Sequence, residues 1–156
     1  VQSAAIQDEP KAALWRGSLD DFTPRAARAA AAWLAEPGLL TERLRSCCSG
    51  RPGLVVVSER EAPLAAPDAA LLLAAGNAAF VREIELTCDG RPWVFAQSLI
   101  PLATLARHGW LSRLGGSALG ERLAATPGLE RGRLEFARLT PGVVLFHRAL
   151  RQAADP

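Results

Sequence analysis

Histidine, lysine and cysteine are scarce in this chain of 156 residues: two histidines, three cysteines and, among 18 cationic side chains, the single lysine Lys11. His108 and His147 lie far apart, and neither has a Cys or His at ligand spacing, so no metal site is expected. Cys47, Cys48 and Cys88 form no spaced metal pattern either. They cannot all pair internally, and the sequence favours reduced thiols, buried or partly buried. No Gly-rich phosphate loop follows a strand; Gly115-Gly116 before Ser117 reads as a turn into a helix, and no nucleotide cofactor is implied. No apolar run reaches the roughly 18 residues that span a bilayer, since Ala69 to Val81 is short and broken by Gly76-Asn77. No signal-peptide pattern is read at the amino terminus, and a cytoplasmic location is expected. Dense basic runs and basic residues interleaved with aromatics are absent, so no nucleic-acid partner is expected.

Hydrophobic residues make up 49% of the chain and charged residues 22%, ordinary usage for a globular protein. The length suits one domain, residues 1–156, with a real core, and a monomer is expected. Residues 1–20, polar and weakly periodic, read as an irregular arm. Thr23 can cap a helix with Pro24 at its first position, and the Ala-rich run continues to Trp33-Leu34 before Pro37-Gly38 stops it. A second helix spans about Leu39 to Cys47, bringing Leu40 and Leu44 to one face. Leu54 to Ser58 reads as a short strand and Glu61 to Pro67 as a loop, with Asp68 capping a short helix. Residues 102–113 read as helical, Ser117 opens another turn or helix, Arg131 to Leu139 alternates like a strand, and Val143 to Leu150 is a last apolar strand. Hairpins dominate and βαβ spacing is absent, so the fold class is α+β with an antiparallel sheet.

The stretch from Phe80 to Pro101 carries the most information. Alternating residues flank Asp89-Gly90, a dipeptide that readily adopts positive φ, which predicts a hairpin with a two-residue turn. One face of its first strand carries Phe80, Arg82, Ile84 and Leu86. A turn centred on Asp89-Gly90 pairs Leu86 with Trp93, Ile84 with Phe95, Arg82 with Gln97 and Phe80 with Leu99. Arg82 is then a permanent cation on an apolar face, where lost hydration costs several kcal/mol unless an anion or several acceptors replace the water. Two accounts stand open. Either an internal Asp or Glu, or a slipped register, relieves the charge, or the arginine fork holds a small carboxylate.

These residues resemble the chorismate pyruvate-lyases. The family pattern is similar to Phe80-Val81-Arg82-Glu83-Ile84 followed by Asp89-Gly90-Arg91-Pro92-Trp93, with the strand exit Ser98-Leu99-Ile100-Pro101. Ala118-Leu119-Gly120, the strand from Arg131 to Arg138, and Trp33-Leu34 with Leu40-Thr41 resemble outer segments of the family, so the likeness runs over about residues 15 to 150. The resemblance implies an antiparallel sheet with helices on one side and helical flaps over an internal ligand cavity. It implies a cofactor-independent lyase that converts chorismate to 4-hydroxybenzoate and pyruvate, opening ubiquinone biosynthesis. Carried over residue by residue, Arg82 holds the ring carboxylate as the catalytic group, Leu40 gives backbone and apolar contact, and Leu119 lines the pocket.

Two departures accompany the likeness. Family members carry a second arginine where this chain has Gln97. An apolar strand near the carboxyl end carries a glutamate in the family, and counting along Leu139 to Leu150 puts Arg148 about there. After Glu135 the only acid is Asp155. Glu135 and His147 are weighed as substitutes, although a structural strand residue and a satisfied or exposed histidine are the simpler readings. Arg148 could meet the second carboxylate of chorismate, and a one-residue change of register would turn it to solvent. An alternative to the lyase is a domain of the same architecture that binds or senses an aromatic carboxylate without turnover.

Overall fold

Asp89 and Gly90 turn the chain with φ of 50° and 77°, the left-handed pair that matches the twist of two antiparallel strands. The computed structural model describes residues 15–21, 30–64, 68, 72 and 76–138. The chain divides into two compact units, Val1–Ala35 with Arg131–Pro156, and Glu36–Glu130.

In the Glu36–Glu130 unit, the turn joins β3 (Ala78–Cys88) to β4 (Arg91–Pro101), and β2 (Pro52–Pro63) pairs along the other edge of β3. The order β2-β3-β4 is antiparallel throughout. As the middle strand, β3 buries most: Ala79, Val81, Leu86 and Cys88 join Leu44, Ile100, Leu111 and Leu114 in the core. Leu44 comes from helix α2 (Leu40–Cys47). After β4, helix α3 (Leu102–Arg107) and a 3-10 turn (Gly109–Arg113) place Leu111 and Leu114 inside, and α4 (Leu119–Ala124) follows the Gly115-Gly116 turn. In the other unit, β1 (Trp15–Arg16) pairs antiparallel with β5 (Phe136–Ala137), and residues 30–34 are helical (α1). The fold class is α+β.

Several expectations are corrected. The strand expected over Leu54 to Ser58 runs from Pro52 to Pro63, because β3 offers a ladder along its whole length; Glu61–Pro63, the first residues of the stretch expected as a loop, are strand. Of the alternation expected over Arg131 to Leu139, the described residues, 131–138, keep only Phe136–Ala137 as strand. Cys48 and Cys88 are not reduced thiols. The end of α2 lands beside the end of β3, with Cα atoms 5.7 Å apart, and the two are joined in a disulfide, leaving Cys47 exposed and free. Thr23, Pro24, the strand expected over Val143–Leu150, and with it His147 and Arg148, lie outside the described residues. Among those described, no helix is long and apolar enough to cross a membrane.

Candidate functional site

Two bulges, one in each strand flanking β3, decide what surrounds Arg82. In β4 the pairing passes from Thr87↔Pro92 to Leu86↔Val94, so Trp93 is the extra residue. In β2 it passes from Val56↔Ile84 to Ser58↔Glu83, so Val57 is extra. A one-residue shift moves every later side chain of the bulged strand to the opposite face. Arg82 therefore faces Glu59 on one side and Ser98 on the other, and Glu83 faces Ser58 and Gln97. The expected pairing of Arg82 with Gln97 is overturned, and Gln97 sits on the opposite sheet face. Pro92 beside the bulge was the available signal, since a proline inside a sheet settles at an edge or a bulge. Glu59 carried no such signal.

Arg82 is the largest fully buried side chain among the described residues, 1% exposed. Its Nη1 donates to Glu59 Oε1, and its Nη2 donates to the carbonyl oxygens of Gly115 at 2.7 Å and Ser117 at 3.1 Å. The Nε–H is buried without a partner among the described residues. A cation so far from water survives only with acceptors in place of hydration, and here they are one carboxylate and two carbonyls. By holding Gly115 and Ser117, the guanidinium fixes the turn that feeds α4.

That turn is one wall of an open-sided cleft of about 330 Å³, which Thr41 and Leu44 of α2, Leu54 and Leu86 of the sheet, Ser117 and Glu121 help to line. Leu54 and Leu86 are direct cross-strand partners, and Leu86 follows Arg82 and Ile84 along the same face of β3. Across the cleft, Arg45 Nη2 donates to Glu121 Oε1 at 2.7 Å, joining α2 to α4. A side chain at Gly120 would begin 3.4 Å from Leu39 Cδ2, so the starts of the two helices also adjoin. Leu40 and Leu119, both half-buried, are the first residues of those helices. Neither helix has a side-chain cap hydrogen bond, so no capping side chain serves the first-turn N–H groups, which have no intrahelical acceptor in any helix. Arg82, Leu40, Leu119 and Gln97 all belong to the Glu36–Glu130 unit; none of them is among the residues that line the cleft, and Gln97 is on the sheet face opposite Arg82. A larger hollow of about 600 Å³ beside the hairpin turn is open surface, bounded by Arg51, Thr87 and Asp89. Its polar groups already serve each other, the Arg51 N–H donating to Asp89 Oδ1 at 2.8 Å.

The opposite sheet face carries a second charged group. Glu83 accepts from Ser58 Oγ at 2.7 Å, Gln97 Nε2 at 2.7 Å and Arg60 Nη1 at 3.1 Å. Burial alone would raise its pKa, but the bonds from Arg60, Ser58 and Gln97 outweigh it and bring the value to about 2. Among the described residues, no group of three or more His, Cys, Asp or Glu side chains could hold a metal ion.

Fold and site define an α+β protein with a buried arginine bonded to the turn that forms one wall of a sheet-and-helix cleft. The chain belongs to the chorismate lyase family, whose model matches residues 9–152. It is 38% identical over 131 residues to a probable chorismate pyruvate-lyase of Thiobacillus denitrificans, covering 83% of this chain and 70% of that protein. It is 38% identical over 119 residues to one of Dechloromonas aromatica, covering 75% and 66%, and 40% identical over 125 residues to one of Aromatoleum aromaticum, covering 78% and 66%. The matched part of the chain spans about two thirds of the length of these relatives.

Proposed function

We propose that the protein is a chorismate pyruvate-lyase, forming 4-hydroxybenzoate and pyruvate in the cytoplasm as the entry to ubiquinone biosynthesis, as a monomer of one domain and without a cofactor. The observation that carries this reading is the guanidinium of Arg82, 1% exposed, tied to the turn that walls the cleft. Arg82 receives the ring carboxylate; Leu40 adds a backbone N–H at the start of α2 and Leu119 apolar contact at the start of α4. In the reaction the ether C–O bond breaks, enolpyruvate leaves and takes up a proton to become pyruvate, and the ring loses a hydrogen to become aromatic. Aromatisation supplies much of the driving force, so orientation of the bound ring carries much of the rate.

A second reading is a carboxylate-binding domain without turnover. Two observations favour it: the sequence has Arg148 about where the family has its acid, and Arg82 already holds an internal carboxylate. Incubating the purified chain with chorismate and quantifying 4-hydroxybenzoate and pyruvate together separates the two. Equal amounts of both products, abolished by Arg82→Ala, support the lyase. Folded protein that binds 4-hydroxybenzoate and yields neither product supports the binding domain.

A further inference from the structure

Arg82 and Glu59 are unequal partners. The arginine side chain is 1% exposed and the glutamate 29%. Arg82 sits on the middle strand, while Glu59 sits on β2, at the edge of the β2-β3-β4 sheet and two residues past the Val57 bulge. Returning Glu59 to water costs little, because it is already partly hydrated; withdrawing the guanidinium of Arg82 would give up its bonds to the Gly115 and Ser117 carbonyls. The movable member of the pair is Glu59.

The guanidinium's remaining capacity narrows the choice further. Both Nη2 protons are committed to the carbonyls of Gly115 and Ser117, which leaves the Nη1 pair and the Nε–H. A carboxylate arriving at Nη1 meets it where Glu59 already binds, and two carboxylates on one cation repel each other.

We propose that Glu59 is a resident anion, holding the place on Arg82 that the carboxylate of an incoming aromatic acid takes, so that binding exchanges one carboxylate for another. The inference rests on the reading of Arg82 as the carboxylate site. Exchange keeps Arg82 from standing as an unpaired buried cation at any stage. It also makes the electrostatic gain on binding small, so the cleft selects its ligand by ring shape and apolar contact. When Glu59 returns, it displaces the acid product. Glu59 is a positioning residue: it acts through Arg82 and touches no substrate.

The test is calorimetric titration of 4-hydroxybenzoate, and of its uncharged isostere 4-hydroxybenzamide, into the unaltered chain, Glu59→Gln, Glu59→Asp and Arg82→Ala. Glu59→Gln removes the competing charge and is expected to tighten the acid about tenfold, with the amide essentially unaffected; a purely structural role would not separate the two ligands. Glu59→Asp keeps the charge but shortens the reach, and should tighten the acid in the same direction by less. Binding of the acid that depends on Arg82 but is unchanged or weakened in Glu59→Gln overturns the exchange and leaves the carboxylate site standing. Failure of both Glu59 variants to fold overturns it as well, by making Glu59 a structural counter-ion. Acid binding that is absent, or indifferent to Arg82→Ala, removes the carboxylate site itself and this inference with it.

Discussion

Gln97 Nε2 donates to Glu83 Oε1 at 2.7 Å, on the sheet face away from Arg82. With Ser58 and Arg60 it completes a set of donors that holds the Glu83 carboxyl at about pKa 2, below its usual 4.5, against the effect of burial. A carboxyl with a lowered native pKa contributes stability that is fully present above its unfolded value and is lost as pH falls through the native one. Stability should therefore decline between about pH 5 and pH 2. Because Arg60 is 41% exposed, solvent screens part of the effect, and about 2 kcal/mol is the expected size at neutral pH. Glu83→Gln should lose that amount at pH 7 and show a flatter acid limb. Denaturant unfolding of both proteins at pH 7 and pH 3 checks it: equal gaps at the two pH values would remove Glu83 as the cause.

Arg82→Ala takes the partner from Glu59 and from two backbone carbonyls at once. Loss of 4-hydroxybenzoate binding is expected, together with about 1–3 kcal/mol of stability, the scale for leaving buried backbone acceptors without a donor, since Glu59 is already partly hydrated. Arg82→Lys keeps the charge but cannot span Glu59, Gly115 and Ser117 together, so it should bind the acid at least about tenfold more weakly while folding better than the alanine variant. Thermal unfolding alongside titration separates the two effects. A lysine variant with full affinity would show that the forked geometry is not used.

The hairpin was legible because its signals are local: Asp89-Gly90 needs positive φ, and the residues around it alternate. The site was legible only up to Arg82. What neutralises that charge depends on Val57 and Trp93 each being left out of the ladder. A bulge is chosen by cross-strand packing, and of the two only Trp93, beside Pro92, had a sequence signal. Glu59 sat in a charged stretch that reads as strand only once β3 is there to pair with it. The carbonyls of Gly115 and Ser117 belong to backbone, which the sequence does not identify as acceptors. Leu40 and Leu119 were placed by family likeness alone; no local signal marks them, and they are the first residues of two adjoining helices.

The Cys48–Cys88 disulfide closes a sequence separation of 40 residues. A loop of that size restricts the unfolded chain by about 3–4 kcal/mol in the chain-entropy account. Reduction, or Cys88→Ser, should lower the unfolding temperature and loosen the end of α2, whose Leu44 reaches the core and whose Thr41 and Arg45 line the cleft. Thiol titration of the unreduced, denatured chain should count one free thiol, Cys47. Three free thiols would show that the bridge does not form under the conditions of preparation.

Gly50 marks how the same corner is fitted together. A Cβ at this position would lie 1.7 Å from Asp89 Oδ2, far inside contact distance. Asp89 has little freedom to yield: its Oδ1 accepts from the Arg51 N–H at 2.8 Å, and its own N–H donates to the Arg51 carbonyl at 2.9 Å. Gly50→Ala must break the carboxylate contact or shift the hairpin turn, at a cost of about 1–3 kcal/mol. Asp89→Asn keeps an acceptor for the Arg51 N–H and should cost less on its own. The double variant Gly50→Ala with Asp89→Gly removes the obstructing side chain and should recover part of the loss, with glycine adopting the positive φ of residue 89 without strain. Unfolding free energies of the single and double variants measure the coupling. Strict additivity would mean that the clash, and so the close fit of the α2–β2 link against the hairpin turn, does not exist in solution.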